Sequence, residues 1–243
     1  MNKSNTRITI FIGITLIWSF IWFSQKHLLN NFIGNTPSVA VLFLGLVPAL
    51  GLFIGSLLLR QRLDKKETSI AGINLNYAVI IVSIPILCLT IIGVENNFGI
   101  QINLFGAFIG VFIMIYAFLE EYGWRGYLQE ELMPKFNKWM AYAIIGIIWY
   151  LWHWYFLREG NNAKLIMIPI LIAASIGIGE IARSTKSILI CAALHGIVNI
   201  LLIYGLISNQ LSSLQKVIIL VICLPIWILL ISKMEKQNAA TNN

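Results

Sequence analysis

The clearest structural signal lies between residues 104 and 130, which read LFGAFIGVFIMIYAFLEEYGWRGYLQE. The first sixteen of these residues carry no charge, and two adjacent glutamates, Glu120 and Glu121, follow them directly. A transmembrane helix needs about 20 predominantly apolar residues, and this run approaches that length. Because a carboxylate inside a spanning helix costs roughly 2.5–3.5 kcal/mol on insertion scales, a pair of them requires a structural or chemical reason.

Apolar runs of similar length fill the rest of the 243-residue chain. The sequence is 58% hydrophobic and only 11% charged, whereas soluble domains carry about 25% charge. We therefore predict an all-α polytopic transmembrane helical bundle of about eight spans, which forms a single integral membrane domain over residues 1–243. The predicted spans are 8–25, 39–59, 75–94, 104–120, 140–157, 165–182, 187–207 and 214–232.

The distribution of the 17 Lys and Arg residues predicts the orientation. With eight spans and a cytoplasmic N-terminus, 13 of them fall in cytoplasmic segments and 4 in external segments, which is the positive-inside pattern. We therefore expect both termini in the cytoplasm. The net charge of +7 is spread over short segments between apolar runs. This distribution argues against a nucleic-acid partner and indicates the lipid bilayer instead.

The spacing around the two glutamates separates their roles. Arg125 lies four residues after Glu121 and thus on the same helical face, where we expect an ion pair. Glu120 points about 100° away, so this pair leaves Glu120 for another role. The alternative interpretation is that the membrane ends at Leu119 and that both glutamates are solvated at its surface.

Several other polar groups need no functional explanation. Glu130 and Glu131 precede Pro134, which ends the helix, and we expect both to be solvated. His27 follows a lysine at the start of a polar segment and is expected to be exposed. The cysteines lie inside apolar stretches without CxxC spacing and are predicted to be small packing residues; they are Cys88, Cys191 and Cys223.

Two histidines lie within predicted spans. His153 is flanked by two tryptophans, and His195 lies near the middle of the segment ICAALHGIVNILL. Asn199 is four residues after His195, on the same helical face. Hydrogen bonding between helices would explain each histidine alone. Together with the two glutamates, however, these groups favour a shared polar cavity formed by spans 4, 5 and 7.

This set of side chains suits peptide hydrolysis without a covalent intermediate. A glutamate in a partly dry cavity can act as a general base on water, and a histidine can hold that water. A second histidine and an asparagine can donate hydrogen bonds to the developing oxyanion. Alternatively, Glu120, His153 and His195 would bind a catalytic Zn²⁺, with Glu121 as base, although HExxH spacing is absent. The residues alone leave both mechanisms open.

Three motifs occur in order over about 80 residues of the chain. They are EExxxR from Glu120 to Arg125, an aromatic residue four before a histidine from Trp149 to His153, and HxxxN from His195 to Asn199. This order resembles the CPBP (Abi) family of intramembrane proteases, which includes type II CAAX prenyl endopeptidases and bacterial proteins linked to bacteriocin processing and self-immunity. The similarity covers roughly residues 104–207, which we expect to be the catalytic core.

The resemblance implies a role for each motif residue. Glu120 would activate the water, and His153 would help to coordinate it. His195 and Asn199 would bind the oxyanion. Two further residues would shape and charge the site, namely Glu121 and Arg125. Where this chain has Trp149, the family more often has phenylalanine, and we expect this change to affect cavity shape more than chemistry.

The leading functional hypothesis is therefore an intramembrane endopeptidase in a bacterial plasma membrane, acting on a membrane-associated peptide or protein. A second hypothesis is a non-catalytic membrane protein of bacteriocin self-immunity. A third is an ion-coupled transporter that uses the same carboxylates, which is less favoured because the sequence shows no repeat. The substrate, the metal dependence and the oligomeric state are not predicted.

Overall fold

The computed structural model describes the backbone of residues 3–33, 40–63, 65–153, 161–203 and 205–241. The side chain of His27, expected to be exposed, lies outside the described residues. Within these ranges the fold is helical, with one isolated bridge between Ser69 and Ser187. The helices are α1 (Lys3–Ile33), α2 (Ala40–Leu44), α3 (Val47–Arg60), α4 (Leu75–Ile92), α5 (Ile102–Gly123), α6 (Gln129–Leu132), α7 (Lys138–Trp152), α8 (Asn161–Thr185), α9 (Ile188–Val198), α10 (Gly205–Ser208) and α11 (Ser213–Thr241), with two π-helices, π1 (Trp124–Leu128) and π2 (Asn199–Ile203).

Among the described residues, 5 helical stretches are long and apolar enough to cross a membrane. They are Lys3–Gln25, Leu75–Ile92, Ile102–Leu132, Ile166–Thr185 and Ser213–Ala240. Three further predicted spans coincide with the shorter helices α3, α7 and α9, of 14, 15 and 11 residues. The all-α polytopic fold is therefore confirmed, while the number of eight spans stays a prediction.

Large apolar side chains cover the outer surfaces of these helices. Ile91 is 77% exposed, Leu202 73% and Leu214 68%. Apolar surface of this extent would be unfavourable in water, but lipid chains are as apolar as the side chains themselves. The exposed faces thus agree with an integral membrane protein.

The described residues form two compact units. Unit 1 comprises Met1–Glu67 and Leu119–Glu180, and unit 2 comprises Thr68–Phe118 and Ile181–Asn243. Helix α5 passes from unit 2 into unit 1 at Leu119, immediately before the two glutamates. The residues of the first two motifs therefore belong to unit 1, and those of the third motif belong to unit 2.

Close helix packing in unit 1 depends on small residues. A Cβ atom at Gly51 would lie 2.2 Å from the ring of Trp18, and one at Gly146 would lie 2.7 Å from the backbone of Ile172. Glycine at these positions lets α1 approach α3 and lets α7 approach α8. The hydroxyl of Ser19 in α1 also donates a hydrogen bond to the carbonyl of Trp152, one of the carbonyls that the end of α7 leaves without an intrahelical partner.

In unit 2, a tryptophan compensates for a proline inside a helix. Pro85 lies within α4 and has no N–H group, so the carbonyl of Ile81, four residues earlier, loses its helical partner. The indole N–H of Trp227 in α11 donates to this carbonyl at 3.1 Å. This contact agrees with the expectation that neighbouring helices satisfy freed carbonyls in membrane proteins.

The predicted packing role of the cysteines is confirmed. All three are free thiols buried in unit 2, namely Cys88, Cys191 and Cys223.

The prediction that Glu131 is solvated is wrong. Its side chain is only 4% exposed and accepts hydrogen bonds from Arg7 and Ser4 of α1. Glu130 accepts the backbone N–H of Glu67 at 3.1 Å. Pro134 does follow the end of the helix, but α1 packs against this end and excludes solvent from Glu131. The ion pair with Arg7 compensates for the burial of the carboxylate.

Candidate active site

The helix that carries both glutamates widens into a π-helix directly after them. α5 ends at Gly123, and π1 continues from Trp124 to Leu128. The side chain of Arg60 lies across this irregular turn, with its Nε donating to the carbonyl of Gly126 at 2.6 Å and its guanidinium over the Tyr122 ring at 5.2 Å. π-helical turns are rare and occur frequently at functional sites. The turn sets the directions of the motif residues that follow Glu121.

Both glutamates are fully buried. Glu120, Glu121 and Arg125 each have 0% exposure. The interpretation that both glutamates are solvated is therefore wrong, and the position at which the membrane ends stays a prediction. Two carboxylates and one guanidinium are removed from solvent within six residues of one helical stretch. Buried charges of this kind require pairing and hydrogen bonds to persist.

Glu121 and Arg125 form the ion pair that their spacing predicts. Nη1 of Arg125 lies 3.0 Å from Oε1 and 2.8 Å from Oε2 of Glu121. One guanidinium nitrogen thus bridges both carboxylate oxygens, and the pair is neutral as a whole. Arg125 is therefore held by a contact within its own helical stretch.

Glu120 has different partners. The indole N–H of Trp149 in α7 donates to its Oε2 at 3.1 Å, and the indole N–H of Trp124 donates to the same oxygen at 3.4 Å. Both donors are neutral, and both approach one oxygen of the carboxylate. A carboxylate in apolar surroundings is stabilised by such donors, because hydrogen bonds replace part of the hydration that burial removes.

The ion pair and Glu120 are connected through Trp149. The guanidinium of Arg125 lies over the Trp149 ring, 5.1 Å from its centroid, which is within the range of a cation–π interaction. Trp149 is buried, with 3% exposure. Its ring therefore contacts the cation through its face and the Glu120 carboxylate through its N–H group.

His153 lies at the C-terminal end of α7 and is partly exposed. Its Nδ1 lies 2.9 Å from the carbonyl oxygen of Trp149. A carbonyl only accepts hydrogen bonds, so Nδ1 carries the proton, and a neutral ring then has its lone pair on Nε2. The ring packs edge-on against Trp152 with 4.8 Å between centroids. In the neutral ring, the Nδ1 contact therefore leaves Nε2 as the hydrogen-bond acceptor.

His195 and Asn199 lie in unit 2, and each is 6% exposed. His195 belongs to α9, and Asn199 ends α9 and begins π2. A Cβ atom at Gly196 would lie 2.6 Å from the side chain of Met114, so α9 is closely packed at this point. Both polar side chains are thus buried one helical turn apart. That they share a cavity with Glu120 and His153 stays a prediction.

Among the described side chains, no group of three or more His, Cys, Asp or Glu residues is arranged to hold a metal ion. Ligation of zinc by Glu120, His153 and His195 stays a prediction.

The structure adds a polar contact that the sequence analysis missed. Trp149 was expected to affect cavity shape, but its N–H group also binds Glu120, which a phenylalanine ring cannot do. The pattern contained no signal for this contact, because the two residues lie on separate helices. Trp124 is different, since it follows Glu120 by four residues on one helical stretch and the spacing alone could have indicated the contact.

The comparison with known proteins agrees with the motifs. Residues 101–201 match the model of the type II CAAX prenyl endopeptidase Rce1-like family. The CAAX prenyl protease 2 of Methanococcus maripaludis is 25% identical over 100 residues, which is 36% of this chain and 37% of that protein. The chain thus matches little more than a third of this relative. The predicted resemblance to the CPBP family is confirmed, and the matched residues 101–201 contain all three motifs.

Proposed function

We propose that this protein is an intramembrane endopeptidase that hydrolyses a peptide bond of a membrane-associated protein or peptide with a water activated by Glu120. The main support is a fully buried carboxylate held by two indole N–H groups, within a segment that matches a CAAX endopeptidase family. A buried carboxylate is costly in a membrane protein and is retained mainly where it serves a function.

In the proposed mechanism, Glu120 takes a proton from water while the water oxygen attacks the scissile carbonyl carbon. The second O–H group of the water donates a hydrogen bond to Nε2 of His153, which holds the water in position. The oxyanion that forms is stabilised by hydrogen bonds from His195 and Asn199. Glu120 then passes its proton to the leaving amine, and the C–N bond breaks. No covalent enzyme intermediate is formed.

Glu121 and Arg125 support this chemistry without touching the substrate. Because they pair with each other, neither leaves an uncompensated charge in the buried site. Zinc is the alternative, in which Glu120, His153 and His195 would hold the ion, Glu121 would be the base, and the metal would supply Lewis-acid polarisation of the carbonyl. Chelation distinguishes the two mechanisms.

The name of the relative indicates which substrate class to test first. The relative is named a CAAX prenyl protease, and the exposed apolar side chains of this chain suit the lipid surroundings that a prenylated peptide would share. We propose such a peptide as the first substrate. The match to only 37% of the relative makes the substrate a proposal of its own.

The test uses the full chain purified in detergent, a farnesylated CAAX peptide with a quenched fluorophore, and a panel of unprenylated membrane peptides. Glu120→Gln keeps the shape and can still accept both indole hydrogen bonds, but it cannot take a proton. We expect it to lower kcat by about 10²–10⁴-fold. His195→Ala should also lower kcat. The metal chelator 1,10-phenanthroline should leave the rate of cleavage unchanged if hydrolysis is independent of metal.

Equal cleavage by wild type, Glu120→Gln and His195→Ala would contradict the proposed function. Complementation of a cellular phenotype offers a second measurement. Full retention of that phenotype by Glu120→Gln would favour the non-catalytic immunity function instead.

A further inference from the structure

We propose that Trp149 is a positioning residue for Glu120, and that the Glu121–Arg125 ion pair acts on Glu120 through the Trp149 indole. This inference rests on the proposed function only in taking Glu120 as the base. It assigns a reason to the tryptophan that stands where the family more often has phenylalanine.

The hydrogen bonds from the indoles to Glu120 are directed at one of its two carboxylate oxygens. Both described indole donors, Trp149 at 3.1 Å and Trp124 at 3.4 Å, converge on Oε2. A carboxylate oxygen that already accepts two hydrogen bonds is less basic toward a proton from water than the opposite oxygen. The opposite oxygen, Oε1, is therefore the proton acceptor for the water, and the indoles determine its direction.

Arg125 connects the ion pair with the Trp149 ring. Its guanidinium is paired with Glu121 at 2.8 Å and lies 5.1 Å from the centroid of the Trp149 ring. A cation over the face of an indole holds the ring in place and draws electron density from it, which makes the N–H group a stronger donor. The ion pair thus reaches Glu120 by a continuous series of contacts through Trp149.

The main chain of Trp149 contacts His153. The carbonyl of Trp149 accepts the Nδ1 proton of His153 at 2.9 Å. The side chain of Trp149 thus orients the base, and its carbonyl fixes the tautomer of the histidine that would hold the water. Secondary contacts of this kind commonly determine how well a catalytic group is aligned.

Trp152 provides a matched comparison within the same helix. It is also buried, with 1% exposure, and lies three residues from Trp149 on α7. Its indole N–H makes no hydrogen bond with any residue that the structure describes. Trp152→Phe therefore removes an N–H group from the same aromatic surroundings without removing a contact to Glu120.

The first measurement is independent of activity. The full chain is labelled with ¹⁵N-tryptophan in detergent micelles, and the indole resonances of Trp149 and Trp152 are assigned by their loss in Trp149→Phe and Trp152→Phe. Glu120→Gln converts a charge-assisted hydrogen bond into a weaker neutral one. We expect the Trp149 indole proton to move upfield and to move more than that of Trp152. An unchanged Trp149 resonance would overturn the inference.

The second measurement is kinetic, on whichever peptide the wild type cleaves. Trp149→Phe should lower kcat by about 10–100-fold, as for loss of a supporting contact, with KM within about threefold of wild type. Trp152→Phe should stay within about threefold in both constants. The double variant Glu121→Gln with Arg125→Met should lower kcat in the wild-type background. The same double substitution should lower kcat much less when Trp149→Phe is already present, because the ion pair then has no indole N–H through which to act.

The outcomes separate the two proposals. Loss of cleavage in Glu120→Gln with full kcat in Trp149→Phe would overturn the positioning role and leave the protease. Full cleavage by Glu120→Gln would overturn Glu120 as the base, whereas the resonance shift of Trp149 would still show whether the contact exists.

Discussion

At the level of single side chains, the stability of unit 1 is most sensitive to the loss of one partner of the buried ion pair. Arg125 and Glu121 are both fully buried and bridge through one nitrogen. A buried pair contributes little net stability by comparison with apolar residues of the same size, because desolvation offsets the attraction. Removing one partner has a much larger effect, since it leaves a buried charge without compensation.

We therefore predict that Arg125→Met lowers the free energy of unfolding by about 3–5 kcal/mol. The double variant Glu121→Gln with Arg125→Met should recover most of this loss, because it removes both charges. Denaturation by SDS in mixed micelles, followed by tryptophan fluorescence, measures the three stabilities. A double variant as unstable as Arg125→Met would contradict this explanation.

At the level of the helices, small residues and backbone irregularities place the site. Glycine brings α7 against α8, and α7 carries both Trp149 and His153. The widened turn π1 begins directly after α5, and Arg60 satisfies one of its carbonyls. Positions of side chains on these elements therefore depend on how closely the backbones approach.

Gly146→Ala should destabilise the protein by about 1–3 kcal/mol, as expected for overpacking. The new Cβ would lie 2.7 Å from the Ile172 Cα, so the backbone of α8 must move. Gly177→Ala is the matched control, since nothing lies within 4 Å of its Cβ and alanine favours a helix. The same SDS denaturation measures the stabilities of both variants. Equal stability of the two variants would show that α7 and α8 are not in close contact at Gly146.

For the chain as a whole, the remaining prediction is the topology. Reporter fusions test it, because alkaline phosphatase is active only outside the cytoplasm and green fluorescent protein fluoresces inside it. We expect fluorescent fusions at the C-terminus and within residues 61–67, and active phosphatase within residues 95–101. Active phosphatase at the C-terminus would contradict the eight-span arrangement with cytoplasmic termini.

The sequence did not predict the contacts between separate helices. Glu131 was expected in solvent because Pro134 follows it, and the pairing with Arg7, 124 residues away, was not visible in the sequence. The effect of Trp149 on cavity shape rather than chemistry stays a prediction, and its hydrogen bond to Glu120 was not predicted because it joins two helices. Both contacts join residues that are distant in sequence.

The amino-acid sequence was sufficient for the helical membrane fold, the three motifs and the Glu121–Arg125 pair. Hydropathy and the 3.6-residue period determine these, because they depend on neighbours within one helix. The partners of Glu120 and Glu131 depended on the folded chain. Contacts between separate helices depend on how each helix is rotated and shifted against the next. Glycines, helix caps and bridging side chains determine these rotations in the folded chain.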